Sequence, residues 1–178
     1  MAKHAAQSKR QAAKTSKTIK TNAMRALDAR HIAYEAFFYD EAIHSADEVA
    51  RLLGVPASQV FKTLVVLAGA DRRLLVVTPG DRELDLRLVA KGVGAKEAHM
   101  APQKEAERLT GLKVGGISPL ALLDKRFEVF LDAPGAELTQ LYINGGQRGV
   151  NLRLAVADLI AVTQARVIEA TRADESAG

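Results

Sequence analysis

A chain of 178 residues that is 48% hydrophobic and 26% charged has the make-up of one globular domain, with or without a tail, and wholesale disorder is excluded. No apolar run approaches the roughly 20 residues that cross a bilayer. The lack of cysteine removes disulfides, thiolate metal sites and a cysteine nucleophile.

The formal charge of +4 is unevenly placed. Residues 1–20 hold six basic side chains and no acid, which leaves residues 21–178 at −2. This first stretch is rich in Ala, Lys, Ser and Thr and reads as a disordered basic tail: a solubilising segment, an electrostatic grip on RNA phosphates or, less well matched with its single arginine, a mitochondrial presequence. It lacks the apolar core of a secretory signal, and a cytoplasmic protein is expected. The body is read as one domain over 21–172, followed by a short tail over 173–178.

Thr21 is placed to cap a helix over 22–30, with Met24, Leu27 and His31 on one side. Residues 32–39 are rich in β-formers and predict a strand. Ser45 with Glu48 three residues on is a capping box. It opens a helix in which Val49, Leu52 and Leu53 are expected to face inward and which Gly54 ends. A turn over 56–60 leads into strands over 61–67 and 74–78. Asp85 caps a short helix over 86–91, closed by Gly92 and Gly94. A short strand over 96–100, a helix over 102–110 and a strand over 112–117 follow. Strands over 127–131, 139–143 and 150–154, a helix over 155–162 and a last strand over 165–168 complete the chain. These elements are too short and irregularly connected for a doubly wound sheet. They predict an α+β fold: a mixed, partly closed barrel-like β-sheet flanked by short helices.

Among candidate functional residues, Lys62 is the most informative. Both faces of its strand are apolar, so the strand is expected to be central. A lysine there either reaches water along its stem or meets an anionic partner such as a phosphate at a pocket mouth. Gly115 and Gly116, in Val114-Gly-Gly-Ile-Ser-Pro119, allow a close backbone approach, and free N–H groups there are able to stabilise an oxyanion; a bulge explains the pair equally well. The segment from Tyr142 to Asn151, with Gly145 and Arg148, reads as a hairpin turn or a ligand rim. The four histidines show no metal-ligand spacing, and no phosphate-binding loop or nucleophile elbow is present.

Taken in order, Phe61-Lys-Thr-Leu64, Leu84-Asp-Leu-Arg-Leu-Val-Ala-Lys91, Thr110-Gly-Leu-Lys-Val-Gly-Gly-Ile-Ser-Pro-Leu120 and Gly145-Gly-Gln-Arg-Gly149 resemble the YbaK family, free-standing relatives of the editing domain of bacterial prolyl-tRNA synthetase. The resemblance covers about residues 22–170. It implies hydrolytic removal of a wrong amino acid from tRNA(Pro), with neither metal nor cofactor, through the CCA end of mischarged tRNA. It also implies a transient complex with prolyl-tRNA synthetase. The family lysine falls on Lys62, expected to contact the terminal adenosine, and the family glycine on Gly115, expected to orient the ester carbonyl; these two form the expected catalytic pair. Tyr39, Ser45, Gly116, Ile117, Ser118, Asn144, Gly145, Arg148 and Asn151 are the expected substrate-binding set. In cysteine-specific members the substrate's thiol is thought to attack its own ester. This chain differs from them: the 39–47 segment is shorter, Ser45 stands near a family phenylalanine, Asn144 at a serine and Asn151 at an aspartate. Alanine as the amino acid removed, or a tRNA- or synthetase-binding module without chemistry, are the competing readings.

Overall fold

The structure, a computed structural model, describes residues 19–173. The expected 1–20 tail, apart from its last two residues, lies outside these, as does the C-terminal tail beyond residue 173.

Helix α1 (Asn22–Ala29) begins where expected, with the Thr21 hydroxyl accepting from the Met24 N–H at 3.2 Å. Met24 and Leu27 are buried, but His31 is not on their face. It lies beyond the helix end in the left-handed region (φ 56°) and is exposed. Strand β1 (Glu35–Phe38) leads to α2 (Ala46–Leu53). The Ser45 half of the capping box forms, with Ser45 Oγ accepting from the Glu48 N–H, while the Glu48 carboxylate accepts from the Ser45 hydroxyl rather than from its backbone N–H. Leu52 is 53% exposed rather than inward. The stripe that packs is Ala46, Val49, Ala50 and Leu53, spaced as one helical face, and Leu52 falls beside it.

After a single 3₁₀ turn (Ala57–Gln59), β2 (Val60–Ala68) and β3 (Arg72–Pro79) form an antiparallel hairpin paired along its whole length. Helix α3 (Leu86–Val93), with Asp85 accepting from two backbone N–H groups, runs through Gly92 and ends only at Gly94. Strand β4 (Ala98–Met100) and helix α4 (Gln103–Thr110) follow. The stretch 112–117 is a turn and not the expected strand. The Gly116 N–H bonds to Lys113 O at 2.8 Å, and Gly115 sits at φ +90°, the backbone required at the third position of a type II turn. A 3₁₀ turn (Pro119–Ala121), β5 (Glu128–Asp132), an unexpected one-turn α5 (Ala133–Ala136), β6 (Gln140–Asn144), β7 (Val150–Ala155), α6 (Val156–Thr163) and β8 (Arg166–Ile168) complete the fold.

All eight strands belong to one mixed sheet, with β1-β7-β6-β2-β3-β5-β8 in order and β4 also on β2. The sheet with its flanking short helices is the expected α+β arrangement. Strand β2 is central, and its two faces pack into different apolar clusters: Phe61 with α1 and α6, Val66 with α3. One edge of β2 belongs wholly to β3. The other is shared: β6 takes Val60 and Phe61, while β4 takes Val66 to Ala68. The sheet therefore forks on that edge, and Lys62, Thr63 and Leu64 lie in the opening.

Candidate functional site

A cavity of about 300 Å³ occupies this fork. Its walls come from the end of β1 (Tyr39), the N-terminus of α2 (His44 to Asp47, with Val49), β2 (Val60 to Leu64), Gly80, the 113–116 turn (Val114, Gly115) with Ile117, and the facing ends of β6 and β7 (Asn144, Asn151). Lys62 pairs with Thr78 across β3, and Asn144 with Asn151 across the β6–β7 ladder. Asn144 is one step past the last β2–β6 bridge, so Lys62, Asn144 and Asn151 form a polar row across one face of the sheet.

Lys62 is half-buried in the wall, and among the described residues no ion pair engages it. Burial pushes the Tyr39 phenol up to about 12, against a smaller opposing effect of its hydrogen bond with Asn151. Tyr39 therefore keeps its proton at any physiological pH. Asn151 is only 3% exposed, and its Oδ1 has no partner among the described residues; neither has Thr63 Oγ1. Buried acceptors without partners are uncommon, and both line this cavity.

The 113–116 turn is held by the β6–β7 loop. Asn144 Nδ2 donates to Gly115 O at 2.7 Å, while Asn144 Oδ1 accepts from the Gly146 and Gln147 N–H groups. Arg148 Nε donates to Val114 O at 2.7 Å. Gly116 lies so close to this loop that a Cβ would stand 2.9 Å from the Arg148 nitrogen. A Cβ on Gly115 would stand 2.8 Å from that of His44.

Lys62, Gly115, Tyr39, Ser45, Ile117, Asn144 and Asn151 thus share one cavity, although they are scattered along the chain. Gly116, Ser118, Gly145 and Arg148 are not in its wall. Ser118 is fully buried and caps the 3₁₀ turn, its Oγ accepting from the Leu120 N–H. The Gly145 N–H closes the hairpin onto Val150 O, and Gly116 and Arg148 brace the turn from behind. Because its N–H is already bonded to Lys113 O, Gly116 has no donor left for a ligand. Sequence reasoning missed His44, Asp47 and Thr63. His44 was weighed only as a metal ligand, and its contact is with a glycine far along the chain that no spacing rule connects to it.

The family model of the aminoacyl-tRNA editing domain matches residues 40–162. An Enterococcus faecalis protein, provisionally named the Cys-tRNA(Pro)/Cys-tRNA(Cys) deacylase EbsC, is 33% identical over 154 residues, covering 85% of this chain and 93% of that protein. The proline–tRNA ligase of Geobacter metallireducens is 36% identical over 78 residues, which cover 44% of this chain and only 14% of the ligase. Among solved structures, hypothetical protein APE2540 matches with a TM-score of 0.79 at 28% identity, covering 85% of this chain and 99% of that one. A structure described as a candidate trans-editing enzyme for prolyl-tRNA synthetase matches at 0.75 and 24% identity, over 88% and 100%; at that identity the likeness speaks for the fold.

Proposed function

Because the chain belongs to the aminoacyl-tRNA editing-domain family, we propose that it is a deacylase clearing mischarged tRNA(Pro), with Cys-tRNA(Pro) as its substrate. The observation that carries this reading is the meeting of the Lys62 side chain and the Gly115 backbone in one small cavity. Its size suits a small aminoacyl group with the edge of an adenosine, at the lower end of ligand-pocket volumes.

Lys62, with no carboxylate partner among the described residues, holds the ribose or phosphate of the terminal adenosine. The Gly115 backbone, clamped by Asn144, orients the ester carbonyl, and its N–H is the oxyanion donor. Tyr39, protonated, and Asn151, whose Oδ1 has no partner among the described residues, read the aminoacyl group. The substrate's thiol attacks its own ester to release a cyclic thiolactone. Well-oriented intramolecular attack reaches effective molarities of about 10⁵–10⁸ M, so the protein contributes position and charge stabilisation without a nucleophile of its own. Proline lacks a thiol, and the correct product is spared.

The second reading, an Ala-tRNA(Pro) deacylase using water, is favoured by one observation: Asn151 presents a neutral, buried amide where cysteine-specific relatives carry aspartate. A transient complex with prolyl-tRNA synthetase, action in the cytoplasm, the 21–172 boundaries of the deacylase domain and RNA contact by 1–20 belong to the same proposal.

The test is a panel of tRNA(Pro) charged with cysteine, alanine, serine or proline. Cysteine release far above serine and alanine is expected; alanine and serine cleaved as fast as cysteine would favour the second reading. Tight tRNA binding with no turnover would instead point to a binding module. Lys62→Ala is expected to lower kcat/KM about 10–100-fold, the worth of a charged hydrogen bond, with folding unchanged. A folded variant at wild-type rate would sink the role given to Lys62.

A further inference from the structure

The proposed reaction moves a proton twice, from the attacking group and onto the leaving ribose oxygen, and the roles given so far provide no group to carry it. Among the described residues, four titratable side chains line the cavity: Tyr39, His44, Asp47 and Lys62. Tyr39 is pushed up to about 12 by burial and keeps its proton. Asp47 sits in the first turn of α2. Lys62 is committed to the adenosine. Histidine is the side chain that takes up and returns a proton near neutrality.

The position of His44 agrees with that chemistry. Its Cβ and Cγ lie 2.8 and 3.1 Å from where a Gly115 Cβ would stand. The imidazole is therefore seated on the residue that orients the ester. Position 115 excludes a side chain for two reasons: its φ of +90° and the closeness of His44. The neighbouring polar groups are already engaged: Ser45 with Glu48, Gly115 O with Asn144, Val114 O with Arg148. Glu107 accepts from the Val114 N–H at 3.1 Å. No hydrogen bond within the described residues engages the imidazole, which is exposed at the cavity mouth.

We propose that His44 is the acid–base residue of this site, acting on an aminoacyl ester seated against Gly115. This rests on the deacylase reading. His44 takes the proton of the attacking thiol, or of water if the substrate has none. The new bond to the carbonyl carbon forms as its π pair moves onto oxygen. When that pair returns, the ester C–O bond breaks and His44 delivers the same proton to the leaving ribose oxygen. Protons balance, and no further reactant enters.

The experiment compares wild type, His44→Ala and His44→Gln in single-turnover deacylation of Cys-tRNA(Pro) and Ala-tRNA(Pro), with and without added imidazole. Since His44 is exposed, both variants are expected to fold, which circular dichroism checks. The expected result is a loss of about 10²-fold in the chemical rate with substrate binding kept, and at least tenfold recovery of His44→Ala by imidazole. A rate within threefold of wild type, or a loss that imidazole does not relieve, would overturn the assignment and leave His44 a packing partner of Gly115. If wild type turns over none of the mischarged tRNAs, the deacylase reading fails and takes this one with it. An active wild type with indifferent His44 variants overturns the His44 assignment alone.

Discussion

Tyr39 shows what burial does to a single residue. An unfolded tyrosine titrates near 10, whereas burial pushes the folded phenol up to about 12. A raised folded value means that the stabilisation is complete below pH 10 and is lost as pH climbs through 12, by at most about 3 kcal/mol. Urea unfolding of wild type and Tyr39→Phe at pH 8 and pH 11.5 measures it. Wild type is expected to lose more stability across that interval than the variant, and equal losses would mean that the phenol is not buried. Lys62 and Gly115 were legible in the sequence because their types are conspicuous where they stand: a charge in an apolar strand, and paired glycines before Ser-Pro. His44 was not legible, since an exposed histidine is ordinary until the turn it touches is known.

At the scale of elements, the site depends on a turn that periodicity misread. Leu112, Val114 and Ile117 suggest a strand, and a short apolar run does not distinguish strand from turn. The outcome was decided by bonds from another part of the chain: Asn144 to Gly115 O and Arg148 to Val114 O. Asn144→Ala removes two accepting and two donating contacts. It is expected to cost about 1–3 kcal/mol in chemical denaturation and, if the turn orients the ester as proposed, to lower kcat more than it raises KM. A stable variant with unchanged kcat would show that the turn holds its shape unaided. The capping box of α2 and the Asp85 cap of α3 needed no such context, because both are satisfied within a few residues.

For the whole molecule, the +4 charge separates into a +6 stretch over 1–20 and a body at −2. If general affinity for tRNA lies in that stretch, deleting it should flatten the salt dependence of tRNA binding by about 0.7–0.9 log units per lost phosphate contact. Turnover at saturating substrate should persist. Filter binding across a salt series measures the slope, and an unchanged slope would return these residues to a solubilising role. The sequence by itself determined the type and order of nearly all elements, the central place of β2 and the identity of the lysine and glycine at the site. These follow from local caps, apolar periodicity and ordered motifs, which act over a few residues. Only the tertiary structure decided that β6 and β4 share one edge of β2 and leave a fork. It also decided that 112–117 turns back onto the 144–149 loop, and that His44 rests on Gly115. Those outcomes depend on competition for hydrogen bonds and space between segments distant along the chain, which no local pattern encodes.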